Sequence, residues 1–181
     1  GGNVSSGSHI EIIRNSSISD ILSNYNILSE SRIISGDILS GTHMDGSDGH
    51  GYYDLLISVL KKGTGRPFLG WLKPGFDKFS FSSSFASYFF RKKNNYIFDD
   101  KVNGSDRAII PFGYWESVLP MDILPTYLIK SIIAQDIEEM ENLGIYECSP
   151  DDFALCAYVC QSKINVSSIV ENGLNYIREN I

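Results

Sequence analysis

The sequence predicts an α+β protein in which a strand-rich part is followed by a small bundle of helices. Before Pro120, short runs of apolar and β-branched residues alternate with glycine-containing turns, which is typical of strands and their connections. From Met121 onward, apolar residues recur at helical spacing and each segment has its own start signal. We therefore predict a strand-rich domain at residues 1–119 and a helical domain at residues 120–181.

The strand-rich part has one short helix among several predicted strands. Apolar and polar residues alternate at residues 9–14, which predicts the first strand. Ser17 can cap a short helix, with Asp20 completing a pair similar to a capping box. Further strands are predicted at residues 33–34, 38–39, 53–60 and 68–72. The last two flank a glycine-containing connection, which predicts a hairpin extension of the domain.

Residues 42–51 combine three glycines with His43, Asp45, Asp48 and His50. This composition predicts an exposed, solvated loop. The four side chains form the only cluster in the sequence with metal-ligand chemistry, so a metal site is the alternative. We favour the solvated loop, because ordering a glycine-rich segment around an ion costs conformational entropy.

The helical part is defined by its capping residues. Pro125 suits the first turn of one helix, Asp136 and Glu139 form a capping box for the next, and Gly144 ends that helix. The last segment has an apolar stripe typical of an amphipathic helix. Its members are Val166, Ile169, Val170, Leu174 and Ile177. Together these signals predict a bundle of about four helices.

Composition and charge limit the possible classes of protein. The 181 residues are 43% hydrophobic, and no run approaches the roughly 20 apolar residues of a membrane-spanning helix. The formal charge of −7 opposes general attraction to nucleic acid or anionic lipid. Three cysteines are too few for a disulfide scaffold and favour a reducing compartment. The start without methionine, in a Gly/Ser-rich stretch, suggests a piece of a longer polypeptide.

Cys156 and Cys160 have the spacing of the last two cysteines in the bacterial ferredoxin motif C-x2-C-x2-C-x3-C-P. Counting back places Phe153 and Pro150 at the first two cysteine positions, and Gln161 replaces the closing proline. Since a [4Fe–4S] cluster needs four thiolates, the segment is predicted to be vestigial, with its cysteines buried as small hydrophobic side chains. The alternative is half of a metal site completed by another cysteine or a histidine.

An aromatic run at residues 76–90, followed by Arg91, Lys92 and Lys93, is the strongest candidate for a contact surface. Four of its aromatic residues follow helical spacing, namely Phe81, Phe85, Tyr88 and Phe89. They could pack in the core. Alternatively, Phe90 and the three basic residues face outward, toward a membrane partner.

The sequence contains no motif that places a nucleophile beside a base, and no glycine loop that could bind phosphate. We therefore predict no catalytic residue in the chain.

Six stretches of the chain resemble the C-terminal part of NqrA, the A subunit of the Na⁺-translocating NADH:quinone oxidoreductases, Na⁺-NQR. They occur in family order across nearly the full length. The stretches are residues 32–41, 68–80, 103–108, 118–125, 143–147 and 153–160.

This resemblance implies a β-grasp domain of the SLBB type, followed by a helical domain with a degenerate ferredoxin-like cluster segment. It also implies membership of a respiratory-chain enzyme that oxidises NADH, reduces ubiquinone or menaquinone, and exports Na⁺. Flavins and Fe–S clusters belong to the whole complex, whereas this portion is expected to hold no cofactor and to be non-catalytic. Its expected role is docking and scaffolding at the quinone-reducing end.

The implied partners are the other Na⁺-NQR subunits, chiefly the membrane-bound B subunit, at the cytoplasmic face of the bacterial inner membrane. No nucleic-acid partner is expected. Two other functions stay open at this point. One is an independent iron–sulfur electron carrier, and the other is an SLBB module that binds a small ligand such as quinone or cobalamin.

Overall fold

The structure is a computed structural model that describes residues 4, 7–23, 25, 27, 30–63, 68–70, 72–90, 98–100 and 107–180. The chain forms two compact units, Gly1–Gly104 and Ser105–Ile181. The first contains the sheet and the second contains most of the helices, so the α+β class is confirmed. Within the described ranges, no helix combines the length and apolar character needed to cross a bilayer.

The first unit is built on a three-stranded antiparallel sheet, counted over the described residues. Its strands are β1 (Ser31–Ser35), β2 (Thr42–Met44) and β3 (Ile57–Lys61), in the order β2-β1-β3. Ile33 pairs with Met44 on one side and with Val59 on the other. The strand predicted at residues 33–34 is therefore the central strand of the sheet.

A short helix, α1 (Ile18–Leu22), begins where the sequence predicts. The Ser17 hydroxyl accepts a hydrogen bond from the Asp20 N–H at 3.2 Å, and Ile18 is fully buried beneath the cap. The N–H of Ile18 also donates to the Asp48 carbonyl at 2.9 Å. This bond fixes the start of α1 against residues 42–51.

The prediction that residues 42–51 form an exposed loop is wrong in two places. Thr42–Met44 is a strand, because its backbone groups pair with β1. His50 is buried, with 5% of its surface exposed. The glycines supply tight turns between these fixed points, and composition alone does not reveal the hydrogen-bond partners that order the segment.

Two other predicted strands are also wrong. Residues 9–14 pair with no strand among the described residues, and Ile13 is 83% exposed. Residues 38–39 form a turn, because the Asp37 carboxylate accepts from the Leu39 N–H at 2.6 Å and the Ser40 N–H at 2.9 Å. These bonds also lower the pKa of Asp37, with the Ser40 hydroxyl contributing most. A local side-chain turn thus overrides the β propensity of Ile38 and Leu39.

The predicted hairpin extension is wrong as well. Of its first strand, predicted at residues 53–60, only residues 57–60 are in a strand, as part of β3, and β3 pairs with β1. In the expected return strand, residues 68–70 and 72 lie in turns. The connection at residues 64–67 lies outside the described part of the chain. Strand β3 therefore pairs over five residues with β1, which is distant in sequence, and not with the segment that follows it.

The second unit is helical and its caps match the predictions. Pro125 is the first residue of its helix, the Asp136 carboxylate accepts from the Glu139 N–H at 3.1 Å, and Gly144 has the positive φ of +84° expected after a helix end. The helices are α2 (Tyr114–Val118), α3 (Pro125–Ala134), α4 (Ile137–Asn142), α5 (Ala154–Val159) and α6 (Val166–Asn180). Short 3₁₀ turns lie at Ile145–Glu147 and Pro150–Phe153.

One hydrophobic core holds the second unit together. It includes Leu128 and Ile129 of α3, Val170 of α6 and Phe153, all fully buried. The sequence analysis missed α2, which adds Trp115 to this core and packs against α5. The unit therefore begins before the predicted limit at residue 120, since α2 supplies part of its core.

Gly173 of α6 lies directly against the side chain of Ile132 on α3. A Cβ atom added at this position would lie 2.9 Å from Cγ2 of Ile132 and 3.0 Å from its Cγ1. Since real Cβ contacts at such distances are almost absent, the Ile132 side chain occupies the space that a larger residue would need. The glycine lets the two helices pack tightly.

Candidate functional site

The cysteine segment lies inside the core of the second unit. Cys156 is on α5, and Cys160 follows directly after the last residue of that helix. The exposed fractions are 0% for Cys156, 3% for Cys160 and 8% for Cys148. The Cys156 thiol donates a long hydrogen bond to the Trp115 carbonyl, at 3.8 Å. All three cysteines are free thiols.

The surroundings of these cysteines disfavour the thiolate form. Burial raises the pKa of Cys156 to about 11, with smaller contributions from the charge of Glu116 and from Cys160. Burial also raises the pKa of Cys148 to about 11, assisted by Asp152 and Glu147. Metal ions are bound by thiolates, so these thiols are poor ligands at neutral pH. Among the described residues, no three His, Cys, Asp or Glu side chains converge to hold a metal ion.

The two positions that lack cysteine are occupied by packing residues. Phe153 is fully buried, and Pro150 starts the 3₁₀ turn that leads into α5. The Ser149 N–H donates to the Asp152 carboxylate at 2.8 Å, which fixes the start of this turn. Ser149 and Asp152 thus form a capping box at the start of this turn. The ring of Phe153 fills core volume at a position where a cluster-binding segment would present a thiolate.

These raised pKa values predict low thiol reactivity. In the native chain, we expect alkylation of Cys148 and Cys156 by iodoacetamide to stay slow up to about pH 9 and to accelerate only as the pH approaches 11. The folded state keeps the proton that the unfolded chain loses near pH 8.5, so unfolding should raise the rate. Peptide mapping by mass spectrometry with and without guanidinium measures this difference. Fast labelling of Cys156 in the native chain at neutral pH would contradict its burial.

A second cluster, which the sequence did not predict, forms around Ser35 at the end of β1. The Ser35 hydroxyl is 2.9 Å from Nδ1 of His50, donates to the Asp54 carboxylate at 2.5 Å, and accepts from the Gly51 N–H at 3.0 Å. Nε2 of His50 is 2.8 Å from the Asp54 carbonyl, which can only accept, so Nε2 carries a hydrogen. This buried polar cluster ties β1 to residues 50–54.

The buried polar cluster has the residue types of a catalytic triad but not its geometry. In a triad, histidine lies between the serine and the carboxylate. Here Ser35 lies between His50 and Asp54, and Ser35 is only 1% exposed. No substrate can reach a hydroxyl that is buried in this way. The cluster is therefore structural, and its members are too far apart in sequence for any motif to have indicated it.

The described residues at 68–70 and 72–90, called the aromatic segment, carry many exposed apolar side chains. Residues 81–89 do not form the helix that their spacing suggested, and only a 3₁₀ turn at Ala86–Tyr88 is present. Many of the rings are exposed and therefore do not pack in the core. The exposed fractions are 87% for Phe68, 59% for Phe76, 50% for Phe81, 82% for Phe89 and 64% for Phe90.

Backbone contacts hold the aromatic segment in place. The Ala86 N–H donates to the Pro74 carbonyl at 2.8 Å, and the Ser87 hydroxyl donates to the Lys78 carbonyl at 2.5 Å. Phe85 covers Gly75, where an added Cβ would lie 2.7 Å from the ring. A shallow cavity of about 260 Å³ lies beside this turn. Its walls are Phe79, Phe81, Phe85, Tyr88 and three serines.

Only part of the predicted partner contact can be located. Phe90 is exposed and its ring centroid lies 5.7 Å from that of Phe76. Arg91, Lys92 and Lys93 lie outside the described residues.

Fold and site together define an α+β protein with a thiol-containing helical unit and no catalytic constellation in the described residues. No known protein-family model matches the chain. It is 41% identical over 148 residues to the Rhodopirellula baltica protein named as the A subunit of the Na(+)-translocating NADH-quinone reductase. The chain belongs to this NqrA family and corresponds to a C-terminal part of it.

Two further relatives carry the same name. The Klebsiella pneumoniae protein is 34% identical over 180 residues, which is 99% of this chain. The Actinobacillus pleuropneumoniae protein is 40% identical over 151 residues, which is 83% of this chain. The Rhodopirellula match covers 81% of this chain. The matched regions span only 32% to 40% of the relatives' own length.

Proposed function

We propose that this chain is a cofactor-free scaffold and docking portion of NqrA in a Na⁺-translocating NADH:quinone reductase. In this proposal the redox cofactors, the quinone and the Na⁺ pathway belong to the rest of the complex. The observation that carries it is the packing of the cysteine segment. Its thiols are buried, and Phe153 occupies the core at a position that holds a cysteine in the ferredoxin motif.

The finer features belong to the same proposal. The first unit would be an SLBB-type domain, and the second a relative of cluster-carrying helical domains. The protein would rest at the cytoplasmic face of the bacterial inner membrane, chiefly on the membrane-bound B subunit, near the quinone-reducing end. The family to which the chain belongs supports this placement, because proteins that carry that name belong to a quinone reductase.

Replacing Cys156 and Cys160 together by alanine in the assembled complex tests the proposal. We expect quinone reduction to stay near the wild-type rate, because neither thiol holds an electron carrier. Stability should fall modestly, since each substitution removes one buried sulfur atom. Enzyme assays on purified complex and thermal unfolding of the chain measure the two effects. Loss of turnover in a complex that assembles normally would contradict the scaffold role.

The rival function is an electron carrier with an iron–sulfur cluster at the cysteines. Iron and sulfide analysis of the anaerobically purified chain distinguishes the electron carrier from the cofactor-free scaffold. Absorbance near 400 nm with stoichiometric iron would support the carrier, whereas the scaffold should contain no bound iron.

A ligand-binding role is a second candidate, favoured by the cavity beside Tyr88. Its volume of about 260 Å³ is slightly below the roughly 300–1,000 Å³ typical of small-molecule sites. Titration with quinone and with cobalamin tests this role, and a scaffold should show saturable binding of neither.

A further inference from the structure

We propose that the aromatic segment binds directly to the surface of an anionic phospholipid bilayer. This inference deepens the proposed function, because it gives a part of the first unit its own contact with the membrane. The occupant is the lipid headgroup region, with the exposed phenylalanine rings inserted among the headgroups and the exposed Lys61, Lys62 and Lys73 facing the phosphates.

The first argument is the distribution of charge. In the sequence, residues 61–93 hold eight of the chain's 15 Lys and Arg residues but only one of its 22 acidic residues, Asp77. Four of the eight, at positions 66 and 91–93, lie outside the described residues. Lys61, Lys62 and Lys73 are exposed. The acidic remainder of the chain is repelled by an anionic surface, while this stretch is attracted to it. This uneven distribution of charge favours an orientation in which the basic stretch faces the membrane, while the net charge of −7 opposes adsorption through other faces.

The second argument is that the basic end of β3 is joined to the aromatic segment. Lys61 forms a β-bridge with Asp99, and the neighbouring Phe98 ring lies 5.8 Å from Phe79. Asp100, which follows, is paired with Arg32 at 3.5 Å, so its charge is partly neutralised. Exposed lysines and exposed rings are therefore parts of one structure within the first unit.

The third argument concerns the form of the exposed apolar surface. Phe68, Phe76, Phe89 and Phe90 are at least 59% exposed and lie in turns and irregular backbone, so they form no helix face or strand edge for a protein partner to match. A fluid headgroup region adapts to such a surface, and amphipathic residues concentrate there. The hydroxyl of Ser83, which is exposed, can donate a hydrogen bond to a phosphate or glycerol oxygen.

Flotation of the full chain with large unilamellar vesicles tests the proposal. Vesicles of phosphatidylglycerol mixed with phosphatidylcholine are compared with vesicles of phosphatidylcholine alone. We expect binding only to the anionic vesicles, and loss of most binding at about 1 M NaCl, where the screening length falls to about 3 Å. Equal binding to both vesicles, or binding to neither, would overturn the proposal.

Substitutions separate the apolar contribution from the charge contribution. Phe68→Ser with Phe89→Ser should weaken binding by about tenfold for each ring removed. The matched control is Tyr53→Ser with Leu55→Ser, which removes side chains that are 88% and 100% exposed but lie outside the basic stretch. The control should bind as the wild type does. Equal weakening by both pairs would mean that general hydrophobicity, not this segment, drives binding.

The charge variant is Lys62→Glu with Lys73→Glu, and its matched control is Lys130→Glu with Arg178→Glu. Both pairs change the net charge equally and all four side chains are exposed. Removing a lysine near the surface should cost about fivefold in affinity, and the reversed charges should cost more. Identical losses for the two pairs would contradict the assigned face.

Co-purification with the complex distinguishes this inference from the proposed function. If the Phe68/Phe89 variant leaves the complex while the chain never binds vesicles, the segment contacts another protein of the complex and the lipid proposal is wrong. If vesicle binding is present but the chain does not assemble with other subunits, the proposed function fails and the lipid contact stands.

Discussion

Phe153→Ala is expected to lower the free energy of unfolding of the helical unit by roughly 3–5 kcal/mol. Phe153 is fully buried, and its 3₁₀ turn packs against α5 and α6, so deleting the ring leaves a cavity among several elements. Urea unfolding followed by far-UV circular dichroism measures this change, because the helices dominate that signal. The sheet of the first unit should be unaffected.

Phe153→Leu is the matched control for this substitution. Leucine keeps most of the apolar volume, so we expect a loss of less than about 1.5 kcal/mol. A small effect of alanine, similar to that of leucine, would mean that the ring is not a core element. The idea that Phe153 replaces a cluster ligand by packing would then lose its support.

Ser35→Ala should be the second large perturbation, and it acts on the other unit. The substitution leaves the Gly51 N–H, His50 and the Asp54 carboxylate without their shared partner. Leaving a buried polar group unsatisfied costs about 1–3 kcal/mol, and more than one group is affected here. We expect a lower midpoint of unfolding and faster hydrogen exchange of the Gly51 amide, measured by nuclear magnetic resonance.

Ser58→Ala provides the comparison within the same sheet. The Ser58 hydroxyl makes a single hydrogen bond, to the Gly36 carbonyl at 2.9 Å. Its removal should cost about 1 kcal/mol and should leave the exchange of Gly51 unchanged. Equal effects of the two substitutions would show that the buried polar cluster adds nothing beyond one ordinary hydrogen bond.

The helical unit was the easier part to predict from the sequence. Its helix boundaries are set locally, by residues such as Asp136 and Gly144 that act within one turn of their own position. The exception, α2, is five residues long and has no capping side chain; Gly113 stands at its N-cap with a positive φ of 75°. A helix of that length is formed by packing, which sequence patterns do not display.

The sheet was harder, because strands depend on partners that are distant in sequence. Residues 9–14 have the composition of a strand but pair with none among the described residues, whereas residues 42–44 stand at the start of a glycine-rich, polar stretch and still pair with β1. The buried polar cluster was missed for the same reason. Ser35 and His50 are 15 residues apart, and only the fold brings them together.

For the cysteine segment, the two positions of the ferredoxin motif that lack cysteine could be counted from the sequence. The exposure of the aromatic segment could not be predicted from it. The spacing of Phe81, Phe85 and Phe89 fits a helix, but the turns at residues 80–90 prevent one. Serines at residues 82–84 favour hydrogen bonds to nearby backbone and side-chain oxygens over helical ones, as the contact between Ser82 and Ser84 at 2.6 Å illustrates.

The absence of a side chain at Gly173 also determines the position of α6 along α3. Moving α6 along its axis by one turn, about 5.4 Å, would bring either Val170 or Ile177 opposite Ile132. Both are β-branched, and α6 contains no second glycine. Neither shifted arrangement leaves room for the isoleucine. Because glycine has only a hydrogen atom as its side chain, α6, the longest helix described, packs on α3 in one axial position, and positions shifted by one turn are excluded.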